Sequence, residues 1–320
     1  MNTEIQNKNE IIEEIIALKK KKNAVILAHF YQIPEIQDIA DFIGDSLNLA
    51  QKATQIKEDL ILFCGVHFMG ETAKILNPQK RVIIPDLEAG CSLADSCKED
   101  DFKSFKEKYS GYTVISYINC SAAIKTMSDI ICTSGNALQI VKSLPKDEKI
   151  IFTPDKNLGG YINRMTGRNM ILWNGTCQVH ELLTVEETIK QKLAHKDALL
   201  IAHPECNDAV LQIADFIGST AAMLKYVKEN KCNKFLVATE SGIVHQMQKE
   251  NPQKEFIVVT KDETCSCNEC EYMKLNTLKK VRDSLKDEKF EITLDNQTIE
   301  KSKKPIIKML DISKKLGIIK

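Results

Sequence analysis

The sequence predicts an α/β protein built from three homologous units, each a three-layer αβα arrangement with a parallel sheet. The six-residue sequence IADFIG occurs twice, starting at Ile39 and at Ile213. A related segment, MSDIICTSGNALQIVKSL, starts midway at Met127. Around all three, short apolar and β-branched runs alternate with helix-like segments, which is typical of parallel strands joined by helical crossovers. We therefore expect the three units to be related by a pseudo-threefold axis.

Three strands are predicted in each unit. The first strands are predicted in NAVILAHFYQIPEI, GYTVISYINCSAAI and DALLIAHPECNDAV. The second strands fall in DLILFCGVHFMGE, KIIFTPDKNLGGY and KFLVATESGIVHQ, and the third in RVIIPD, NMILWN and EFIVVT. Each copy therefore reads β-α-β-α-β and then reaches cysteine. This pattern divides the chain into repeats at 22–108, 109–194 and 195–281.

Two segments lie outside the repeats. Residues 1–21 are charged throughout, with Ile and Leu at helical spacing, and predict a surface helix. Residues 282–320 are rich in lysine and contain Pro305. We expect this tail to form an outer strand and a helix, and both segments to pack on the first repeat.

Composition restricts the function. The chain has 320 residues, 44 of them basic and 44 acidic, and a pI near 7.0. This balance predicts neither nucleic acid nor an anionic membrane as a partner. No apolar run approaches the roughly 20 residues that span a bilayer, and the first residues lack the apolar core of a signal peptide. We therefore expect a cytoplasmic protein.

Polar residues recur in matching positions at the ends of the first strands. His29, Tyr117 and His203 share one position, 88 and then 86 residues apart, and Tyr31, Asn119 and Glu205 share another with the same separations. Any one of them alone is more often structural than catalytic. However, packing gives no reason to keep polar groups in one position three times, and ligands bind beyond the carboxyl ends of parallel strands. We predict that these six side chains converge on one pocket.

Hydroxyl side chains form a third set with these separations. Ser46, Ser134 and Thr220 stand where helices are predicted to begin, next to Asp45, Gly135 and Ser219. One interpretation is helix N-capping by these hydroxyls. The other is binding of a phosphate or carboxylate at a helix N-terminus. The two interpretations are compatible.

The sequence contains eleven cysteines, too many to explain by packing alone. In a reducing compartment a disulfide framework is not expected. Buried packing roles are expected for most of them, including Cys64, Cys132 and Cys232, and also Cys97 and Cys120.

One cysteine position follows the third strand of each copy. These cysteines are Cys91, Cys177 and a cluster of Cys265, Cys267 and Cys270. Three thiolates would hold a [4Fe–4S] cluster with one iron left without a protein ligand, whereas structural zinc takes four ligands. Such an iron can bind water or a substrate oxygen and act as a Lewis acid. This donor set predicts dehydration chemistry.

Two other classes of protein remain open at this point. An electron-transfer or redox-sensing iron–sulfur protein would need a fourth ligand, which Cys97 or Cys267 could supply. A zinc or metabolite-binding protein could use the C-x-x-C pair of Cys267 and Cys270, although no second pair follows it. Neither class explains the matched polar positions.

At these residues the sequence resembles the quinolinate synthase family of NAD biosynthesis. The resemblance covers about residues 25 to 278 and rests on LAHFYQIPEIQDIADFIGDSLNLA, FMGETAKILNP, PDLEAGCSLAD, YINCSAAIKTMSDIICTSGNA, FTPDKNLGGYI, WNGTCQVHE, AHPECNDAV, TESGIVHQM and CEYMKLNTL. It implies three homologous α/β domains around a central [4Fe–4S] cluster. It also implies condensation of iminoaspartate with dihydroxyacetone phosphate to give quinolinate, phosphate and water.

The resemblance further implies roles for individual residues. The cluster ligands would be Cys91, Cys177 and Cys270, and Glu205 would be the general base, with a pKa tuned toward neutrality. The substrate-binding and proton-shuttling groups would be His29, Tyr31, Ser46, Tyr117, Asn119, Ser134, His203 and Thr220. Iminoaspartate would come from an L-aspartate oxidase. Any redox role of Cys265 or Cys267 is left open.

Overall fold

The computed structural model describes residues 2–260 and 268–319. Cys265 and Cys267 therefore lie outside the described residues. Within them the chain forms three four-stranded parallel sheets, and each sheet falls inside one predicted repeat. The strand orders are β2-β1-β3-β4, β6-β5-β7-β8 and β10-β9-β11-β12, so all three sheets share one topology. The predicted class, parallel α/β with three homologous sheets, is confirmed.

The elements follow one another in the same sequence in each repeat. The N-terminal helix and first repeat contain α1 Asn2–Lys21, β1 Ala24–His29, α2 Pro34–Ile39, β2 Phe42–Gly44, α3 Ser46–Ala53, β3 Leu60–Cys64, α4 His67–Leu76, β4 Arg81–Ile83, α5 Ser92–Asp95 and α6 Glu99–Glu107. The second repeat contains β5 Thr113–Tyr117, α7 Ala122–Thr126, β6 Ile130–Cys132, α8 Ala137–Ser143, β7 Ile150–Thr153, α9 Lys156–Thr166, β8 Ile171–Leu172, α10 Gln178–Glu181 and α11 Val185–Ala194. The third repeat and tail contain β9 Leu199–Ala202, α12 Asp208–Ile213, β10 Phe216–Ile217, α13 Thr220–Glu229, β11 Lys234–Ala238, α14 Ile243–Glu250, β12 Glu255–Val258, α15 Glu271–Lys274, α16 Leu278–Asp287 and α17 Asn296–Lys315.

The structure adds one short strand to each predicted unit. These strands, β2, β6 and β10, are two or three residues long and pair only with the first strand of their sheet. These residues were not among the three strands predicted for each unit. A strand of this length has no measurable periodicity, so only its pairing identifies it.

An aspartate fixes each short strand to its neighbour. The carboxylate of Asp41 accepts the N–H of Ile26 at 2.8 Å, and the Asp41 N–H donates to the Ile26 carbonyl at 2.9 Å. Asp129 and Asp215 make the same pair of hydrogen bonds in the other two sheets, each fifteen residues from its partner. The separations of the three aspartates are again 88 and 86. This shared pair of hydrogen bonds supports the homology of the three sheets.

Asp41→Ala is expected to lower the free energy of unfolding by about 1–2 kcal/mol, because a hydrogen bond from a backbone N–H to a charged group is lost. Asp41→Asn is the matched control, since its amide oxygen can still accept the Ile26 N–H. Urea unfolding of both variants measures the difference. Equal losses in the two variants would show that charge, through the 2.7 Å contact with Lys19, matters more than this hydrogen bond.

The central strands are buried along their whole length because helices cover both faces. All six residues of β1 and all five of β3 are buried, and the hydrophobic residues follow without polar alternation. This is the pattern expected of a parallel strand. Apolar side chains of β1 and β3 form one cluster with Ile15 of α1 and Val281 of α16. The predicted N-terminal helix therefore exists, and its apolar face packs on the first repeat.

The tail differs from its prediction. It contains two helices, α16 and α17, and Glu291 forms only an isolated antiparallel bridge with Ile83 where an outer strand was expected. Near the end of α17, the Ser313 hydroxyl accepts a hydrogen bond of 3.0 Å from Asn136 Nδ2 in the second repeat. The last turns of the tail thus pack with the second repeat and not, as predicted, with the first.

Backbone contacts divide the chain into two compact units. One comprises Met1–Cys91 and Glu271–Lys303 and carries the first sheet. The other comprises Ser92–Cys270 and Lys304–Lys320 and carries the second and third sheets. Across the described part of the chain, no helix has the length and apolar character needed to cross a bilayer.

Candidate active site

In the first unit, His29 and Tyr31 form a compact pair at the carboxyl end of β1. The N–H of Tyr31 donates to His29 Nδ1 at 3.2 Å, and the two rings meet edge to face with centroids 4.6 Å apart. Lys274 Nζ donates to the Tyr31 carbonyl at 2.8 Å. His29 is buried and Tyr31 is half-buried. The first predicted pair therefore has a fixed geometry at the expected sheet edge.

The corresponding position of the third sheet repeats this local geometry. The N–H of Glu205 lies 3.4 Å from His203 Nδ1, as the N–H of Tyr31 lies near His29 Nδ1. His203 Nε2 lies 3.1 Å from the Ser134 hydroxyl. The structure thus brings together a predicted histidine of the third repeat and a predicted serine of the second.

The other predicted polar residues also lie at their expected strand and helix ends. Tyr117 is the last residue of β5 and is buried, and Asn119 follows two residues later. The buried Oδ1 of Asn119 has no hydrogen-bond partner within the described chain. Thr220 is the first residue of α13 and is only 2% exposed. An unpartnered buried amide oxygen is a group that a ligand can satisfy.

The capping interpretation of the hydroxyl set is wrong. Asp45 caps α3 by accepting the Asn48 N–H at 2.9 Å, and Ser219 caps α13. Ser46 and Thr220 are instead the first helical residues, while Ser134 stands before the N-cap position of α8. The side chains of neighbouring residues cap α3 and α13, and α8 has no side-chain cap, so the hydroxyls of the predicted set cap none of these helices. Their position at helix starts still suits anion binding.

A buried group of ionisable side chains in the second unit centres on Glu205. Its Oε2 lies 3.1 Å from the Nδ1 atoms of both His180 and His203. The two imidazole rings stack with centroids 4.8 Å apart and planes inclined by 27°. His180 Nε2 in turn lies 2.9 Å from the Thr239 hydroxyl. All three ionisable side chains are at most 3% exposed, so they interact in a site with little solvent screening.

Electrostatics hold this carboxylate in its ionised form. Burial alone would raise the pKa of Glu205, but the charges of His180 and His203, 3.1 Å away, lower it below the ordinary value. The family resemblance led us to expect a pKa of Glu205 tuned toward neutrality, and this expectation is wrong because the pKa shifts in the opposite direction. Burial lowers the pKa of His203 more than the nearby Glu205 raises it, which favours a neutral imidazole.

A second buried carboxyl group has the opposite tendency. Asp155 follows β7 and caps α9 by accepting the Leu158 N–H at 2.7 Å, while its Oδ2 has no hydrogen-bond partner within the described residues. Burial, and then the charge of Glu205, raise the pKa of Asp155 well above its ordinary value. Environments that push two carboxyl pKa values apart are typical of acid–base sites.

The thiol of Cys177 lies beside this carboxylate–histidine group. Cys177 precedes the short helix α10, which carries His180 on its first turn. One ligand atom from each of Cys177, His180 and Glu205 lies within 4.8 Å of the other two, so these residues can hold a metal ion. Thiolate, imidazole and carboxylate are all zinc and iron ligands.

The backbone at Cys270 is anchored by a buried glutamate. Glu240, which follows β11 and is fully buried, accepts the N–H of Cys270 at 3.2 Å through Oε1 and the N–H of Gly242 at 2.7 Å through Oε2. The position of Cys270 is therefore tied to the carboxyl end of the third sheet.

Exposure separates the predicted cluster ligands from the packing cysteines. Cys91, Cys177 and Cys270 are half-buried, so a cofactor can reach them. Cys232 is also half-buried. The fully or almost fully buried cysteines are Cys64, Cys97, Cys120, Cys132 and Cys206. Burial raises the pKa of the Cys97 thiol to about 12, which disfavours the thiolate that a metal requires. Cys232 was expected to be buried and is not; its Sγ lies 3.2 Å from the Lys234 carbonyl.

Several residues of the site were missed from the sequence: His180, Asp155, Thr239 and Glu240. His180 has a local signal, because it follows Cys177 at the C-x-x-H spacing that places both on one side of a helical turn. Asp155 follows β7 and Glu240 follows β11, the strands predicted as second in their repeats. Both residues lie at the same sheet edge as the predicted pairs. Comparing the ends of the second strands, as was done for the first, would have found them.

The decrease in the free energy of unfolding at acid pH tests the environment of His203. In cluster-free protein, the unfolded chain takes up a proton on this histidine near its ordinary pKa of 6.5, whereas the folded chain takes it up only at lower pH. The unfolded state then binds more protons, so stability falls as pH drops through this window, by up to about 1.4 kcal/mol per pH unit. His203→Gln should show a shallower fall between pH 7 and 5 in urea unfolding. An unchanged slope would contradict the shifted pKa.

Fold and site together define a parallel α/β enzyme with a buried carboxylate–histidine group and an adjacent thiol that can bind metal. Comparison with known proteins gives its family. Residues 13–311 match the family described as quinolinate synthetase A protein, and the chain belongs to this family.

A quinolinate synthase from Trichodesmium erythraeum (strain IMS101) is 54% identical over 305 residues, covering 95% of this chain and 94% of the relative. The quinolinate synthase from Prochlorococcus marinus (strain MIT 9313) is 52% identical over 305 residues, covering 95% and 92%. That from Chloroherpeton thalassium (strain ATCC 35110 / GB-78) is 54% identical over 306 residues, covering 95% of each.

Proposed function

We propose that this enzyme is a quinolinate synthase, which condenses iminoaspartate with dihydroxyacetone phosphate and releases quinolinate, phosphate and water. One observation carries the proposal. The chain matches relatives named quinolinate synthase over 95% of its length while placing Glu205, His180 and His203 in one buried group beside Cys177. The reaction needs a base, binding sites for carboxylates and phosphate, and a way to remove hydroxyl groups.

We further propose that Cys91, Cys177 and Cys270 hold a [4Fe–4S] cluster. Their half-buried thiols fit this role, whereas the deeply buried cysteines do not. When bound, such a cluster supplies an iron without a protein ligand that can act as a Lewis acid in dehydration. Convergence of these three cysteines at a common centre, and the pseudo-threefold arrangement of the repeats, are part of this proposal.

Glu205 is the proposed general base. Its pKa is lowered, so it is ionised at neutral pH and can accept a proton from carbon during enolisation and ring closure. A lowered pKa also makes the carboxylate a weaker base, and a proton accepted on it can pass to His180 or His203 over the 3.1 Å contacts. The two histidines thus extend the site's capacity to hold and release protons.

The remaining predicted residues bind and orient substrate. His203 and His29 present imidazole groups for carboxyl and carbonyl oxygens, and Tyr31 and Tyr117 present phenols that orient the intermediate and move protons. Asn119 offers its unpartnered amide oxygen to the imine or amine nitrogen. Hydroxyl groups at helix starts, in Ser46, Ser134 and Thr220, are placed to hold carboxylate and phosphate groups.

Partners follow from the substrates. Iminoaspartate is the oxidised form of aspartate, so we propose a functional link to an L-aspartate oxidase. A balanced composition supports small molecules as the ligands and gives no reason to expect nucleic acid or a membrane. A cytoplasmic location is proposed on the same grounds.

Turnover of reconstituted protein tests the function. The full chain is loaded anaerobically with iron and sulfide and supplied with dihydroxyacetone phosphate and iminoaspartate generated in the assay. We expect quinolinate and phosphate in equal amounts, measured by mass spectrometry and phosphate assay. Loaded protein that releases neither product from both substrates together would overturn the proposal.

A further inference from the structure

The buried group around Glu205 has the composition of a mononuclear metal site. Cys177 and His180 come from one end of α10, and Glu205 comes from the loop after β9. Their ligand atoms lie within 4.8 Å of one another. A thiolate, an imidazole and a carboxylate are three ligands that suit a tetrahedral Zn²⁺ ion, with the fourth position open to water.

The orientation of His180 suits metal binding. Thr239 Oγ1 lies 2.9 Å from Nε2 and can accept its proton, and in that tautomer Nδ1 carries a lone pair. Nδ1 makes no hydrogen bond within the described residues, although it lies 3.1 Å from Glu205 Oε2. In this tautomer the lone pair and the carboxylate repel each other in a buried site unless a proton or a metal cation lies between them. The structure thus presents a gap of the right polarity for a positive ion.

Glu205 provides a second, independent indication. Its Oε1 is buried and has no hydrogen-bond partner among the described residues, while Oε2 faces both histidines. An unsatisfied carboxylate oxygen inside a protein is costly, and coordination to a metal removes that cost.

The distances are compatible with one ion. Ligand bonds of about 2.0 Å for nitrogen and oxygen and about 2.3 Å for sulfur place the ligand atoms of a tetrahedral ion roughly 3.3–3.7 Å apart. The contact between His180 and Glu205 already measures 3.1 Å. The sulfur of half-buried Cys177 lies within 4.8 Å of the other two ligand atoms, so a small movement would complete the three-ligand set.

We propose that Cys177, His180 and Glu205 form a mononuclear binding site for a zinc-like divalent cation in protein that carries no iron–sulfur cluster. The site rests on the geometry of these three residues and does not depend on the proposed function. If Cys177 also ligates the proposed cluster, the two metals exclude each other, since one thiolate cannot complete both sites. Zinc bound here would also occupy the carboxylate that is proposed as the base.

Cobalt binding tests the site, because Co²⁺ replaces zinc and reports its ligands spectroscopically. Metal-stripped full-length protein is titrated with Co²⁺ alone. We expect about one tightly bound ion per chain, with near-ultraviolet thiolate-to-cobalt charge transfer and the visible bands of a tetrahedral ion. Zn²⁺ should displace it. Wild-type protein without charge-transfer absorption would overturn the proposal.

Variants identify the ligands and separate this site from the cluster. Cys177→Ser should remove the charge-transfer band, and His180→Gln and Glu205→Gln should each weaken cobalt binding by at least about tenfold, the loss typical even of an outer-sphere partner. Cys91→Ser is the matched control: it removes a proposed cluster ligand and should bind cobalt like wild type. A band that survives Cys177→Ser, or disappears in a folded Cys91→Ser, would contradict the assignment.

Thr239, whose hydroxyl contacts His180 Nε2, provides a further check of the proposed metal site. Thr239→Val removes the hydroxyl at His180 Nε2 but leaves all three ligands in place. Cobalt affinity should fall by roughly tenfold while the charge-transfer band remains. Unchanged affinity would show that Nδ1 of His180 is not the coordinating atom that Thr239 orients.

Discussion

Cys177→Ser is expected to abolish both cluster loading and quinolinate formation. Cys177 is a proposed cluster ligand, and serine is a poor ligand for the irons of such a cluster. Loss of Lewis-acid assistance removes several kcal/mol of transition-state stabilisation, which corresponds to about a thousandfold or greater loss of turnover. Iron and acid-labile sulfide analysis, visible absorption and a quinolinate assay measure the three effects together.

Cys232→Ser is the matched control for this variant. Cys232 is also half-buried, but its sulfur faces backbone carbonyl groups of Asp197 and Lys234, which a serine hydroxyl can also contact. It should load a full cluster and turn over normally. Cys91→Ser and Cys270→Ser should behave like Cys177→Ser. A fully active Cys177→Ser protein would remove this residue from the ligand set.

Glu205→Gln is expected to retain the cluster and lose turnover by about 10²–10⁴-fold, the contribution typical of a general base. The amide has the same shape as the carboxylate and can hydrogen-bond the same histidines, but it cannot accept a proton from carbon. Cluster absorption should therefore match that of wild type. Single-turnover quinolinate formation measures the effect without interference from product release.

Glu181→Gln controls for the loss of one negative charge nearby. Glu181 is exposed at the end of α10, and its carboxylate accepts a hydrogen bond of 3.0 Å from Asn157. Its turnover should be close to that of wild type. If Glu205→Gln turned over as fast as this control, Glu205 would not be the base.

The fold was largely predictable because it repeats. The first and second strands form inside the apolar segments where they were predicted, and the repeated separations of 88 and 86 aligned these segments. The short strands β2, β6 and β10 were not predictable from periodicity because they depend on pairing with the first strand. The packing of the tail's last turns was mispredicted because Ser313 bonds to Asn136 far away in sequence, and no local pattern reports such a contact; the tail up to Lys303 belongs to the unit of the first sheet.

Site residues were predictable where polar side chains occupy equivalent positions in all three repeats. They were less predictable where a polar residue occurs in only one repeat. Comparison of the first strands identified His203 and Glu205, and comparison of the helix starts identified Ser134, whose hydroxyl lies 3.1 Å from His203 Nε2 across the repeats. The same comparison did not find His180, because its first-repeat and third-repeat counterparts show no matching histidine. The pKa of Glu205 was also not predictable, since it is set by two imidazoles that meet only in the folded chain.

The central claim is that three cysteines hold a cluster with one iron open to substrate. Electron paramagnetic resonance of the reduced, anaerobically purified protein, with and without a quinolinate-like dicarboxylate, tests it most directly alongside iron and sulfide analysis. We expect about four irons per chain and a spectrum that changes when the dicarboxylate binds. A cluster whose spectrum is indifferent to the dicarboxylate would instead indicate a saturated, electron-transfer site, and protein that takes up no iron would contradict the claim outright.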